Sequence, residues 1–204
     1  MLCNVGLQEN FRFLKYNVEK GKMIQAGDLV LIKKITGFHF MQEGICWWLN
    51  SKHSHAEGIL TEDGYSMNFT MKFNKTKMQF YHTHVHNIEI YFQGHHRITI
   101  LRPTGITKEQ QDKFVNSLLN KVGTKYALLE YLGFLSNKVI DDPTKWHCCS
   151  GTLQAYHDAG MFLKRNMDFI SPASFEEWSC FPQIFEIIFD KDKPTEEDFI
   201  NLKK

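Results

Sequence analysis

The chain has 204 residues, 43% of them hydrophobic, which suits one sizeable core better than two independent cores. Lys and Arg total 24 against 23 Asp and Glu, so the net charge is +1 and no nucleic-acid or anionic-membrane partner is predicted. No window reaches the ~18 apolar residues of a membrane span. The N-terminus lacks the apolar stretch of a secretory signal, so we expect a cytoplasmic protein.

The cysteine pattern argues against a disulfide framework and against a structural zinc site. The cysteines are odd in number, irregularly spaced and without a C-x-x-C pair. We therefore expect reduced thiols. The five residues are Cys3, Cys46, Cys148, Cys149 and Cys180.

Composition divides the chain into three parts. Residues 1–25 are polar and interspersed with aromatics without a clear period, which predicts an N-terminal leader. Residues 26–190 are predicted to form the folded domain, which opens with a buried strand after a turn at Gly27. Residues 191–204 are interpreted as a C-terminal tail that is too charged to contribute to the core.

The first half of the domain is predicted to be mainly strands. An aromatic-rich segment, residues 38–49, favours a helix. Short runs rich in strand-forming residues follow, separated by turn signals, and they predict an antiparallel meander. These runs are residues 54–60, 65–73, 88–92 and 97–101.

From Thr107 the apolar period becomes helical. Thr107 and Gln110 fit a capping box, and an apolar stripe continues as far as Gly123. Strands followed by helices predict an α+β fold, in which an antiparallel sheet packs against helices. The further helices predicted are residues 125–135, residues 149–160, and a segment capped by Ser174 and Glu177.

Two residues fit the chemistry of a cysteine hydrolase. Such an enzyme needs a thiol at a helix N-terminus, where free N–H groups and the dipole lower the thiol pKa, and an imidazole that takes its proton. Cys149 lies where a helix is predicted to begin. His55 lies on a predicted strand, on which alternation sends His55 and Glu57 to the same face. These positions favour Cys149 as the nucleophile and His55 as its base.

Short motifs in a particular order support this assignment. They are Gly27-Asp28-Leu29-Val30-Leu31, Ser54-His55-Ala56-Glu57-Gly58-Ile59-Leu60, Ile100-Leu101-Arg102-Pro103, Cys149-Ser150 and Ser171-Pro172. Together they resemble the circularly permuted branch of the papain-like NlpC/P60 superfamily, in which the histidine strand precedes the cysteine helix. The resemblance covers roughly residues 26–178. It implies a papain-like core, a thiol nucleophile acting on amide or ester bonds, and no cofactor.

The chain departs from this family pattern at two positions. Gly151 stands where relatives commonly have an acidic residue after Cys-Ser. Relatives also often carry an acidic or amide residue on the strand after the histidine, and the best match here is Asn68. We expect Asn68 to orient the imidazole, with Glu57 as the alternative. Cys148 is the alternative nucleophile, although alignment with the cysteine before serine favours Cys149.

A histidine-rich stretch is a second candidate site. On a strand, His82, His84 and His86 would share a face, and His-x-His is a workable zinc-ligand spacing. A solvated polar strand face explains the same pattern. Because no carboxylate or cysteine nearby completes the ligand set, we predict no metal.

The sequence thus predicts a cysteine hydrolase that cleaves an amide bond in a peptide, an isopeptide or a cell-wall peptide. Its partner would be a peptide or peptidoglycan-like substrate, and neither a cofactor nor a metal is expected. Two alternatives stay open. One is a lipid acyltransferase or thioesterase that uses the same Cys-His pair, and the other is a catalytically inactive binding module.

Overall fold

The computed structural model describes residues 23–35, 40–69, 73–74, 79–80, 83–127, 145–162 and 170–204. Most of the predicted leader lies outside the described residues, as do His82 and most of the helix predicted over residues 125–135. Within the described ranges, no helix is long and apolar enough to cross a membrane.

The fold is α+β, as predicted, and is built on a six-stranded antiparallel sheet. The sheet has the strand order β10-β7-β1-β2-β3-β6, while β4 pairs with β5 and β8 pairs in parallel with β9. The strands are β1 (Leu29–Lys34), β2 (His55–Ile59), β3 (Tyr65–Asn68), β4 (Phe73–Asn74), β5 (Gln79–Phe80), β6 (His84–Asn87), β7 (His96–Pro103), β8 (Lys125–Tyr126), β9 (Lys145–Trp146) and β10 (Phe185–Asp192).

Helices and apolar side chains cover both faces of the sheet. The continuous apolar run of β1 is typical of a strand that is buried on both faces. Leu29 and Leu31 pack into one core cluster with α2, α3 and α4, and Val30 and Ile32 into another with η1 and α5. In the described residues the helices are α1 (Phe40–Leu49), α2 (Lys108–Leu119), α3 (Cys148–Asp158), α4 (Pro172–Ser179) and α5 (Glu196–Leu202), together with the 3₁₀ helix η1 (Ile88–Tyr91).

Helix α2 confirms the predicted capping box and packs closely on β2. The Thr107 side chain accepts the Gln110 N–H, and the Gln110 side chain accepts the Thr107 N–H. A Cβ added at Gly58 would lie 2.7 Å from both Phe114 and Leu118. The missing side chain at Gly58 therefore lets α2 approach the strand that carries His55.

Residues 88–92, predicted as a strand, form η1 instead. The Asn87 side chain accepts the Glu89 N–H at 2.9 Å, and the Ile88 N–H donates to the Gly64 carbonyl at 3.0 Å. These local hydrogen bonds stabilise the 3₁₀ turn more than the strand propensity of Ile88 and Ile90 stabilises a strand. The histidine-rich segment before it forms β6, the edge strand of the sheet.

The prediction that residues 191–204 do not contribute to the core is wrong. Helix α5 buries Phe199 and Leu202, because its charged side chains occupy the other face of an amphipathic helix. Ile24, assigned to the leader, is also buried, and its N–H donates to the Leu202 carbonyl at 2.9 Å. Residues 23–25 are thus part of the fold.

Two other predicted helix boundaries also differ. Ser171 caps α4, with Pro172 in its first turn, whereas Ser174 was predicted to be the cap. Proline at the first helical position is preorganised for a helix start, so the helix begins there. Residues 125–126 form β8 rather than the start of a helix.

Candidate active site

Helix α3 carries two adjacent cysteines in its first turn. It begins at Cys148, one residue earlier than predicted, because the His147 ring caps it. Nδ1 of His147 accepts the N–H groups of Cys149 at 3.3 Å and Ser150 at 3.4 Å. Histidine is not among the residues usually favoured at this position, so N-cap preferences do not predict this helix start. Both thiols are buried, with Cys148 7% and Cys149 1% exposed.

His55 is the first residue of β2 and interacts with an acid and a thiol. Its Nε2 lies 3.1 Å from Glu57 Oε1, and 24% of its side chain is exposed. Burial lowers the pKa of His55, but the interactions with Cys148 and with Glu57 outweigh burial and raise the pKa to about 10. The His55 ring is therefore partly exposed, and Cys148 and Glu57 both favour its protonated form.

The two thiols differ sharply in acidity. Cys148 Sγ and Cys149 Sγ lie 3.8 Å apart, and because their pKa values shift in opposite directions the Cys149 S–H is the donor. This hydrogen bond lowers the pKa of Cys148, and the interactions with His55 and His147 add to it, so that the pKa falls well below its ordinary value despite burial. Burial and the same hydrogen bond raise the pKa of Cys149 well above its ordinary value.

The sequence analysis favoured Cys149 as the thiol that exchanges its proton with His55, and this expectation is corrected. Of the two thiols, His55 interacts with Cys148, because the imidazole lowers the pKa of Cys148 and is not among the groups that shift the pKa of Cys149. Since α3 begins one residue earlier than predicted, Cys148 is its first residue. Cys149 belongs to the main core cluster and acts on Cys148 as a hydrogen-bond donor.

Glu57 is the centre of a buried hydrogen-bond network. Its carboxylate is fully buried, a position that requires several donors. Burial raises the pKa of Glu57, but hydrogen bonds from His55 and His86 outweigh it and hold the pKa well below its ordinary value. The groups around the carboxylate are His55 Nε2 at 3.1 Å, His86 Nε2 at 2.7 Å, the Tyr91 hydroxyl at 2.7 Å and the Ser66 hydroxyl at 2.5 Å.

Asn68, the first choice for orienting His55, lies in this network but bonds other residues. Its Nδ2 donates to the Tyr91 hydroxyl at 3.3 Å and lies 3.4 Å from His86 Nε2. Glu57, the alternative, is the residue that bonds the His55 ring. The expectation that Asn68 orients His55 is corrected accordingly. Asn68 contacts Tyr91 and His86, which bond the Glu57 carboxylate, and not the His55 ring.

The histidine-rich stretch contributes to the same network. His84 and His86 lie on one face of β6, with ring centroids 5.9 Å apart. His86 pairs with the Glu57 carboxylate, while His82 lies outside the described residues. In the described part of the chain, one group of three potential metal ligands comes together elsewhere, at His147, Cys148 and Cys149.

The departure at Gly151 has a steric cause. A Cβ at this position would overlap the ring of Phe69, which follows β3 and is 1% exposed. Helix α3 thus approaches the strand region so closely that the acidic residue of the resembled family has no room. Gly151 is a packing residue in this chain.

Sequence reasoning missed the roles of Ser66, His86 and Tyr91. A signal was available, because Glu57 is followed by the apolar end of β2 and a buried carboxylate needs donors. The polar residues of β3 and β6 alternate with apolar ones, and Ser66 pairs in register with His86. No comparable signal points to Tyr91, because residues 88–92 have the composition of a strand and this predicts a different position for its side chain.

Comparison with known proteins adds little to this geometry. No protein-family model matches the chain, and no curated protein is significantly similar to it. Among solved structures, the chain is similar to the crystal structure of metalloprotein yiiX from Escherichia coli O157:H7, with 14% identity and a TM-score of 0.48. That match covers 83% of this chain and 90% of the other. A likeness of this size assigns no function, so the functional conclusion rests on the described residues.

Proposed function

We propose that the chain is a cysteine hydrolase that cleaves an amide bond, with Cys148 as nucleophile, His55 as base and Glu57 as the residue that orients His55. One observation carries the proposal: the partly exposed His55 ring interacts both with the acidified Cys148 thiol and with the buried Glu57 carboxylate. A nucleophile, a base and an orienting acid in this order are the parts of a catalytic triad.

Each group has a defined step. The Cys148 thiolate attacks the carbonyl carbon, a C–S bond forms, and the carbonyl electron pair moves to oxygen. His55 then donates its proton to the leaving nitrogen, and the C–N bond breaks to give a thioester and a free amine. Water attacks the thioester while His55 takes its proton, which releases the acid and restores the thiolate. Because Nε2 bonds Glu57, Nδ1 is the nitrogen that exchanges protons with Cys148.

The helix start and the network both favour this chemistry. The first turn of α3 presents N–H groups and the positive end of a helix dipole, which stabilise a thiolate and a developing oxyanion. Glu57 stays ionised throughout, because four donors surround it. A carboxylate held in this way stabilises the imidazolium that forms when Cys148 loses its proton.

We further propose that the sheet and its helices are a circularly permuted papain-like core of the NlpC/P60 kind. The histidine strand β2 precedes the cysteine helix α3 in the chain and packs against it. That order is the one the family resemblance implies. The substrate class that follows is a peptide, an isopeptide or a cell-wall peptide.

The test combines site mapping with paired substrates. Limiting iodoacetamide at neutral pH, followed by peptide mapping, should modify Cys148 ahead of Cys149, Cys46 and the exposed Cys180. Fluorogenic aminoacyl and peptidyl amides should be cleaved by the wild-type protein and not by Cys148→Ser. Matched acyl esters run in parallel separate an amide hydrolase from an acyltransferase or thioesterase.

Three results would overturn the proposal. Labelling first at Cys149 restores the assignment from sequence and rejects Cys148. Cleavage of esters with no cleavage of any amide identifies an acyl-ester enzyme instead. No selective labelling, with no turnover of either series, identifies an inactive binding module.

A further inference from the structure

The start of α3 gathers three potential metal ligands. One ligand atom each of His147, Cys148 and Cys149 lies within 4.8 Å of the other two. All three residues are buried, with exposures of 6%, 7% and 1%. Two sulfurs, one imidazole and no carboxylate suit a thiophilic ion rather than calcium or magnesium.

The spacing of the two sulfurs fits a single tetrahedral ion. Zinc binds thiolate sulfur at about 2.3 Å in tetrahedral geometry, which places two sulfur ligands about 3.8 Å apart. Cys148 Sγ and Cys149 Sγ are 3.8 Å apart. Both cysteines lie in the first turn of α3, so the separation that an ion would require is already present.

The imidazoles supply the remaining ligands. His147 offers a ring nitrogen within 4.8 Å of both sulfurs, and the ring also caps the helix start through hydrogen bonds of 3.3 and 3.4 Å. His55 also interacts with Cys148, and its side chain, 24% exposed, is the most exposed of the group. An ion therefore has both a fourth ligand and a route of entry.

We propose that His147, Cys148 and Cys149 form a binding site for one zinc ion, with His55 or water as the fourth ligand. Binding displaces the thiol proton of Cys149 to solvent and engages both sulfurs as thiolates. The zinc site itself is independent of the proposed hydrolase. Its consequence rests on that function: an ion bound to Cys148 occupies the nucleophile, so zinc acts as an inhibitor and not as a cofactor.

The experiment titrates the full-length protein with Zn²⁺ and with Co²⁺ after treatment with a chelator and a reductant. One equivalent should bind. Co²⁺ should give the visible bands of a tetrahedral complex and the near-ultraviolet charge-transfer bands of thiolate ligands. X-ray absorption at the zinc edge of the wild-type protein should count two sulfurs at about 2.3 Å.

Variants locate the site. Cys149→Ser should weaken zinc binding by at least about 100-fold and halve the charge-transfer intensity, because one thiolate is lost. His147→Asn retains an N-cap acceptor for α3 but removes the imidazole, so it should weaken binding without loss of helicity. Cys180→Ser, which removes an exposed thiol outside the cluster, should bind as the wild type does.

The site is rejected if the wild-type zinc spectrum contains one sulfur or none, or if Cys149→Ser binds zinc with unchanged affinity. The absorption measurement on the wild type decides even if Cys149→Ser does not fold. Zinc binding by a protein that shows no hydrolysis in its metal-free form rejects the proposed function and keeps the site. Hydrolysis without zinc binding does the reverse.

Discussion

Replacing Glu57 with Gln tests the centre of the proposed site. The change keeps the size of the side chain and removes the charge that four donors surround. Gln retains one oxygen for two of those donors and presents an amide to the others. Each charge-assisted hydrogen bond contributes about 1.5–3 kcal/mol, so a loss of about 3 kcal/mol in the free energy of unfolding is expected. For a domain of this size that lowers Tm by roughly 6–12 °C.

The loss should depend on pH in a defined direction. The pKa of Glu57 is lower in the folded protein than its ordinary 4.5, so its contribution is present above that pH and fades as the pH falls. The pKa of His55 is raised from 6.5 to about 10, so its contribution is fully present below pH 6.5 and fades as the pH rises toward 10. The wild type and Glu57→Gln should therefore differ most between about pH 5 and 6.5, and the difference should shrink as the pH rises toward 10.

The same variant should change the reactivity of Cys148. Without the carboxylate, the His55 imidazolium is less favoured, and the thiol pKa should rise toward its ordinary value. The assays are thermal unfolding across pH and the pH dependence of Cys148 alkylation. Asn68→Ala is the matched control, because Asn68 contacts Tyr91 and His86 but not His55. The reasoning fails if Asn68→Ala shifts the alkylation profile and Glu57→Gln does not.

Four further outcomes are expected. His55→Ala should raise the pKa of Cys148 and reduce turnover by a factor on the order of 10² or more, which an alkylation profile and steady-state kinetics check. Turnover should survive EDTA, since the proposed steps use only a thiolate, an imidazole and a carboxylate; loss of turnover that zinc restores would contradict this. Phe199→Ala should lower the free energy of unfolding by about 3–5 kcal/mol in urea titrations, whereas a true tail position would show no change. His53→Ala should cost about 2–3 kcal/mol, because the buried ring bonds Glu176 at 2.7 Å; a variant as stable as the wild type would contradict that role.

Much of the fold was predictable because hydrophobic period and capping are local. Three local patterns predict the elements in which they lie. They are the apolar run of β1, the capping box of Thr107 and Gln110, and the alternation of polar and apolar residues around His55. The failures are places where a distant contact decides. Helix α5 has a charged composition, and only its packing against the sheet turns two apolar side chains into core residues.

The site shows the same division. His55 and Glu57 share a strand face by alternation, so their proximity follows from the sequence. The choice between Cys148 and Cys149 depends on one residue of helix phase, and that phase is set by a histidine cap that sequence rules do not favour. The donors around Glu57 come from three segments that meet only in the folded sheet.

A second histidine shows why hydrogen-bond geometry alone does not identify a catalytic group. His53 is 2% exposed and connects the Thr99 hydroxyl at 3.0 Å with the Glu176 carboxylate at 2.7 Å. Hydroxyl, imidazole and carboxylate thus stand in the order of a serine-type triad. The Thr99 hydroxyl, however, donates to Asp190 at 2.7 Å, and the ring has no exposed edge for a substrate. His55 differs in both respects, since its partner is an acidified thiol and about a quarter of its side chain is exposed. An available nucleophile and access for a substrate separate the proposed catalytic histidine from the structural one.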